Sequence, residues 1–309
     1  MISTPLASPL QPILRGILEA RRSLGWKVGS LFANGEQGMV YDPSDMSTLF
    51  QDSAGTTPVT AVEQPVGLVL DKSQGLVLGP ELVVGILDSS ANWTLDGAGS
   101  VSASSLVINS PVSTTTNQVY VPPVAGTFVA GKSYSVTFTV VRTRGQFTCG
   151  IGSSPAYNSG NIAASGTYTL TLPCGGGTPN RIFFASNAST VTNFIGSITN
   201  ISVKRLPGNH ANQSTAGKRP LLKNNGVANY ADFDAVDDEL VATFPSSLGS
   251  SCTVAKSIPG VGASILTGQT IGTTYTISSD ICALVITNDA LTADETAKLT
   301  AYLNKKAGM

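Results

Sequence analysis

A two-residue alternation dominates the middle of the chain. Tyr134, Val136, Phe138 and Val140 alternate with Ser135, Thr137 and Thr139, and Tyr168, Leu170 and Leu172 alternate with Thr167, Thr169 and Thr171. This period places apolar side chains on one face of a strand and polar ones on the other, as in half-buried strands. Between Phe194 and Val203 the apolar phase slips after Ile198 and resumes at Ile201, and a β-bulge is the natural cause of such a slip. Several such strands with turn signals between them predict a β-sandwich over residues 81–206.

Helical periodicity occurs at the two ends. Ile13, Leu14, Ile17, Leu18 and Leu24 recur at helical spacing with Arg15, Arg21 and Arg22 on other faces, which predicts an amphipathic helix over residues 11–24. Its apolar stripe must be covered, by its own domain or by a neighbouring subunit. Near the C-terminus, Thr292 and Glu295 have the capping-box spacing, Leu299 and Leu303 share a face, Lys305 and Lys306 suit a helix C-terminus, and Gly308 can end the helix. Residues 35–75 are instead dense in Gly, Pro, Asp and Thr. Short strands are expected at Met39-Val40-Tyr41 and from Val66 to Leu70, with turns at Asp42-Pro43 and Ala54–Pro58. So thin an apolar content predicts a small domain that keeps its shape by packing against partners.

The composition agrees with an all-β reading. The 309 residues are 41% hydrophobic and only 12% charged, with 32 Gly, and the length suggests two or three domains. A net charge of -1 provides no electrostatic footprint for nucleic acid or an anionic membrane, so neither is expected as a partner. No window reaches the roughly 20 apolar residues that span a bilayer. The N-terminal arginines follow the apolar residues instead of preceding them, unlike a signal peptide, so synthesis in a cytoplasm is expected. Cys149, Cys174, Cys252 and Cys282 lack metal-site spacing; free buried thiols are favoured over bridges Cys149–Cys174 and Cys252–Cys282.

Candidate chemistry is sparse. Gly126–Ser133 matches GxxxxGK[ST], but alternation follows where a phosphate loop needs a helix, so Gly131-Lys132 reads as a turn between strands. Asp232, Asp234, Asp237, Asp238 and Glu239 offer oxygens to calcium without EF-hand spacing, and turn capping is the favoured role. His210, the only histidine, lies in a Gly-Asn-His-Ala linker, and no GxSxG elbow occurs to supply a nucleophile. The chain reads as non-enzymatic, without cofactor or metal. Trp93, Tyr120, Tyr157 and Tyr168 are the aromatics that either join the core or stack on sugar rings.

Three segments resemble known families. Tyr41-Asp42-Pro43-Ser44-Asp45, Leu49-Phe50-Gln51-Asp52, Gln64-Pro65-Val66-Gly67 and Leu70-Asp71-Lys72 resemble a cassette near the N-termini of tailed-bacteriophage virion proteins, fibre-like ones above all. Trp93, Gly131-Lys132-Ser133-Tyr134 and the closing Gly196–Val203 stretch are similar to a carbohydrate-binding-module jelly roll. Lys218–Leu222, Tyr230–Leu240 and Cys282–Thr292 resemble the two ends of laminin-G-like or concanavalin-like domains. This last unit is shorter than the family's and reads as a truncated sandwich whose missing strands come from a neighbouring domain or chain.

Together the resemblances imply a mainly β virion protein in three units. Residues 1–80 would be an N-terminal helix plus attachment cassette, 81–206 a jelly-roll β-sandwich, and 207–309 a short β unit ending in an α-helix. Attachment to other virion proteins (capsid, tail or baseplate) would use Ile13, Leu14, Ile17, Leu18, Tyr41, Asp42, Pro43, Leu49 and Phe50. Host-surface glycan would meet Trp93, Tyr120, Tyr157 and Tyr168. A homotrimeric tail fibre or similar appendage is expected, with a purely structural head-fibre, collar or capsid-decoration role as the alternative.

Overall fold

The computed structural model describes residues 26–88, 90–95, 99–102, 105–109, 117–121, 128–152, 158–175, 181–186 and 194–309. The helix expected over 11–24, with Ile13, Leu14, Ile17 and Leu18, lies outside them, as does Tyr157. The described chain is mainly β, with several sheets and one C-terminal α-helix. Among the described residues no helix is long and apolar enough to cross a membrane.

Three short strands come first: β1 (Gly38–Tyr41), β2 (Leu49–Phe50) and β3 (Leu68–Val69). A second group holds β4 (Thr94–Leu95), β5 (Gly99–Ser102), β6 (Ser105–Asn109), β7 (Asn117–Val121), β8 (Ser133–Arg144), β9 (Phe147–Ile151), β10 (Gly166–Pro173), β11 (Ile182–Ser186) and β12 (Ile195–Leu206). The third holds β13 (Ala211–Asn212), β14 (Leu221–Asn224), β15 (Asn229–Asp232), β16 (Leu240–Thr243), β17 (Gly249–Ile258), β18 (Gly262–Ile271), β19 (Thr274–Ile277) and β20 (Ala283–Thr287). Helix α1 (Ala293–Lys306) ends the chain.

The first and third groups interleave. One sheet has the order β1-β20-β17-β18 and a second the order β19-β16-β13-β3-β2. Met39 and Tyr41 of β1, Leu284 and Ile286 of β20, and Leu240 and Ala242 of β16 share one core between these sheets. On the opposite face of the first sheet, Val40, Ala255, Ala283 and Val285 pack against Leu299 and Leu303 of α1 and against Leu31 and Phe32. A sheet covered on both faces has no polar side to display, so β1 and β20 read as continuous apolar runs.

This pairing corrects the expectation of a separate attachment unit over residues 1–80. β1 pairs with β20 from Gly38↔Thr287 to Tyr41↔Leu284, and β3 pairs directly with β13. The strands that the C-terminal unit lacks are supplied by residues 38–69 of the same chain. Residues 26–80 and 207–309 thus build one frame, and the second group of strands is inserted between β3 and β13.

The insert has two sheets, β10-β8-β12-β6-β5 and β4-β7-β11-β9, which share a core that includes Phe138, Phe147, Leu170, Phe184 and Val203. The two alternating segments pair with each other, Thr167↔Thr139 through Leu172↔Tyr134. Their polar faces carry hydroxyl ladders, Thr137–Thr169 at 3.1 Å and Thr139–Thr167 at 3.0 Å. The register of β12 against β8 shifts between Thr199 and Ser202, where the phase slip lies, and Asn200 takes a φ of 52° there. All four cysteines are free and buried.

Candidate functional site

The chain leaves the frame after β3 and returns to it before β13, and these two crossings form a neck built around Asp71. The Asp71 carboxylate is fully buried and accepts four hydrogen bonds. Val40 N–H (2.7 Å) and Ser73 N–H (2.8 Å) donate to Oδ1; Ser73 Oγ (2.8 Å) and Asn209 N–H (2.7 Å) donate to Oδ2. Asp71 N–H in turn donates to His210 Nδ1 at 2.8 Å. Asn209 spends its side chain on both parts: Nδ2 donates to Gly38 C=O at 2.7 Å, and Oδ1 accepts from Lys132 of the insert at 3.2 Å. The outgoing and returning strands are thereby tied at their base. Further out, Gly79 and Leu82 N–H donate to Arg205 and Val203 C=O at 2.9 Å each, while Glu81 Oε1 accepts Val203 N–H at 2.7 Å.

The electrostatics of the neck follow from burial. Burial pushes the Asp71 carboxyl up to about 6, against the pull of its donated hydrogen bonds. It pushes His210 down to about 3, so the ring is neutral. Because Nδ1 accepts from Asp71, the ring proton sits on Nε2, a buried atom with the Leu206 carbonyl beside it. The sole histidine ties the two crossings together through Asp71, and among the described residues no hydroxyl or thiol is hydrogen-bonded to it.

A second polar cluster joins the first turn of the frame to the last helix. Lys306 Nζ lies 2.8 Å from both Asp42 oxygens and 2.7 Å from Ser44 Oγ, and Lys72 Nζ lies 3.1 Å from Asp42 and 2.8 Å from Asp45. Burial raises the Asp42 carboxyl, but the two ammonium groups and Ser44 outweigh it and hold it below the usual carboxylate range.

These contacts overturn the attachment role assigned to the cassette side chains. Tyr41 and Leu49 are buried in the frame core, Asp42 and Pro43 are buried, and Phe50 packs against Leu68, Leu70 and Leu206. Tyr41, Asp42, Pro43 and Leu49 are thus turned into the protein and not outward, whereas Phe50 is partly exposed. The sugar-stacking role of Trp93 is likewise corrected: it is 6% exposed, donates Nε1–H to Ile86 C=O at 2.7 Å and packs against Phe184. Half-buried Tyr168 stacks on Phe138 and donates to Ala164 C=O at 2.9 Å. Of Tyr120 only the strand backbone is described. Trp93 and Tyr168 are thus both engaged with rings of the insert core.

The remaining motifs resolve in physical terms. Ser133 begins a strand where a phosphate loop needs a helix, and Lys132 of the GK pair is buried in the neck. Asp234 Oδ1 accepts N–H from Val236, Asp237 and Asp238, and this turn capping draws Asp234, Asp237 and Asp238 together. Sequence reasoning missed two clefts along the seam between insert and frame. One of about 260 Å³ is lined by Ser133, His210, Asn212 and Thr243. The other, about 530 Å³, is lined by Asp52, Ser53, Ser159, Asn212, Ser214 and Arg219. Ser and Asn are ordinary loop residues, so no sequence signal marks them.

No protein-family model matches the chain. No curated protein matches it. Among solved structures it has a likeness to two mutants of Bacillus subtilis oxalate decarboxylase OxdC, each at 8% identity and a TM-score of 0.13. One alignment covers 65% of this chain and 78% of the decarboxylase, the other 66% and 79%. At that TM-score the likeness carries no argument about fold or chemistry.

Proposed function

We propose that this chain is a non-catalytic structural protein of a tailed-bacteriophage virion, assembled in the host cytoplasm as an appendage that displays its inserted domain for host-surface glycan binding. The observation that supports this best is the use made of the residues resembling virion proteins. Tyr41, Asp42, Leu49 and Asp71 are spent on the core and neck of the frame. A motif that builds a frame with an insertion neck suits a carrier reused with different outward domains. The insert is read as a carbohydrate-binding-module-like jelly roll, and the frame as the laminin-G-like part. Docking to other virion proteins falls to residues 1–25, with the stripe Ile13, Leu14, Ile17 and Leu18, and to the outer frame surface. Assembly as a homotrimer would multiply weak sugar contacts by avidity.

Particles labelled with antibody against the chain and viewed by electron microscopy test this reading. Label on an appendage supports it; absence from particles overturns it. A variant joining residue 80 to 207 by a short Gly/Ser linker separates display from attachment, because β3 and β13 pair without the insert. It should enter virions that adsorb poorly to the host. Normal adsorption would favour the second reading, a head-fibre, collar or decoration protein, which the buried Trp93 makes worth testing.

A further inference from the structure

We infer that the outer edge of β10 is a self-association surface, on which a second copy of this chain adds its own β10 antiparallel, about a two-fold axis at Tyr168. The inference concerns the insert alone and does not depend on the virion reading. β10 ends its sheet, with β8 on one side only. Just past β10, Cys174 N–H donates to Lys132 C=O at 2.7 Å and Gly131 N–H to Cys174 C=O at 3.0 Å, so the even-numbered residues bond towards β8. Antiparallel ladders alternate, and the odd-numbered Thr167, Thr169 and Thr171 therefore turn their backbone groups outward. Thr171 N–H fits this phase, donating to Ala54 C=O of the frame at 2.7 Å. Thr167 and Thr169 are exposed, and among the described residues their N–H and C=O groups have no partner.

Several other sheet edges are closed. On β1, Val40 N–H donates to Asp71 Oδ1 and Val40 C=O accepts from Lys72 N–H. Beside β2, Val59 N–H donates to Leu49 C=O, and on β9 Phe147 exchanges both backbone bonds with Ile162. β18 is capped at Ala263 by Asn304 Oδ1 and interrupted by a register shift beside Gly268, whose φ is 65°. β10 has none of these devices: no charged residue, no register shift, and its only proline at the last position. Its edge fits its own copy. With Tyr168 on the axis, Thr167 of each chain faces Thr169 of the other, and each such pair exchanges both N–H···O=C bonds. Charge agrees with this pairing. Arg142 stands at the Gly166 end, where its N–H donates to Ser165 Oγ at 2.9 Å, and Asp52 stands at the Thr171 end, where it accepts Ala54 N–H at 3.0 Å. Neither belongs to an ion pair among the described residues. The axis brings the Gly166 end of one chain to the Thr171 end of the other, so Arg142 comes to the side of Asp52 of the second copy. That opposition of charge favours a second copy over an unrelated strand.

Amide hydrogen exchange of the full chain, read by NMR at single residues over a range of protein concentrations, tests the contact. Thr167 and Thr169 N–H should exchange fast in dilute protein and about tenfold slower or more in concentrated protein, as the sedimenting mass rises. Thr169→Pro removes an outward donor but no bond to β8, and should abolish the slowing at Thr167. Exchange at Tyr168 and Leu170, whose N–H groups bond to β8, shows whether the strand still forms in that variant. Thr167→Lys keeps every backbone group and sets two ammonium groups on one face of the junction. It should abolish the slowing at Thr169, and it decides the matter if proline disturbs the strand. Exchange at Thr167 and Thr169 that does not change with concentration would overturn the inference. Slowing that survives in Thr167→Lys would do the same. A mass that rises while both amides stay fast would place association on another surface and would overturn it too.

Discussion

Lys306 Nζ stands 2.8 Å from both carboxylate oxygens of Asp42, joining two residues at opposite ends of the chain. The Asp42 side chain is 5% exposed and its two lysine partners are 23% and 30% exposed. Asp42→Asn removes the anion that Lys306 and Lys72 share, leaving Lys306 without a carboxylate and Lys72 with Asp45 alone. The expected cost is about 2 kcal/mol, reduced from that of a fully buried pair because the lysines reach solvent. Lys306→Met should cost less, since Lys72 still neutralises Asp42. Urea titrations of both variants check the ranking; a milder effect for Asp42→Asn would show that the cluster does not fasten the helix.

The neck predicts an unusual pH response. His210 has a depressed folded pKa of about 3 against its ordinary 6.5, so its contribution is present above 6.5 and is lost as pH falls through 3. Asp71 has a raised folded pKa of about 6 against 3.8, so its contribution is present below 3.8 and is lost as pH rises through 6. Between these limits the two slopes oppose, each on the order of 1 kcal/mol per pH unit. The native protein should hold nearly constant stability across that window. Below it, stability should fall as Asp42, Asp45 and Asp52, all with lowered pKa, take up protons. His210→Asn keeps an acceptor for Asp71 N–H but removes one slope, so this variant should gain stability as pH falls from 6 towards 4. Denaturant midpoints at several pH values decide it; a variant as flat as the native chain would refute the pairing of slopes.

Elements whose signal is local were legible in the sequence. The alternation of β8 and β10, the slip that becomes the Thr199/Ser202 bulge and the Thr292–Glu295 cap each depend on residues a few positions apart. The frame was legible only in part: strands were expected at Met39–Tyr41 and from Val66 to Leu70, where β1 and β3 lie, but not their pairing with β20 and β13, which are more than 140 residues away. The sugar assignment to Trp93 failed for a related reason: an aromatic in a strand-rich segment carries no mark of the face it occupies.

Gly38 is a second test of the frame. Its φ is 154°, and a Cβ there would stand 1.9 Å from Ile286 C=O, the backbone of the paired strand. Neither the carbonyl nor the sheet can retreat without breaking the β1–β20 ladder. Gly38→Ala should therefore cost several kcal/mol, on the order of 3 or more, and drive the protein into inclusion bodies. Gly308→Ala meets Val227 Cγ1 at 2.0 Å and Val227 Cβ at 2.9 Å, so rotation alone does not clear it, but Val227 is exposed and lies outside the paired strands, so the cost should stay below that of Gly38→Ala, at about 1–2 kcal/mol. Soluble yield and melting temperature of the two variants check the contrast, and equal effects would argue against β1 as part of the first sheet.

The start of α1 gives the most local prediction. Glu295 N–H donates to Thr292 Oγ1 at 3.3 Å, and Thr292 N–H and its hydroxyl donate to Glu295 Oε2 at 2.9 and 2.7 Å. Thr292→Ala leaves helix-start N–H groups to solvent and should lower stability by about 1 kcal/mol, whereas Thr292→Ser keeps the oxygen and should lose only a few tenths. The effect should reach beyond the first turn. Leu299 and Leu303 cover the first sheet, Ser257 Oγ donates to Leu303 C=O at 2.7 Å, and Ala263 N–H donates to Asn304 Oδ1 at 2.8 Å. Amide hydrogen exchange should therefore quicken at Ala263 as well as along the helix in Thr292→Ala. Faster exchange confined to the first helical turn would mean that the cap frays alone and does not fasten α1 to the sheet.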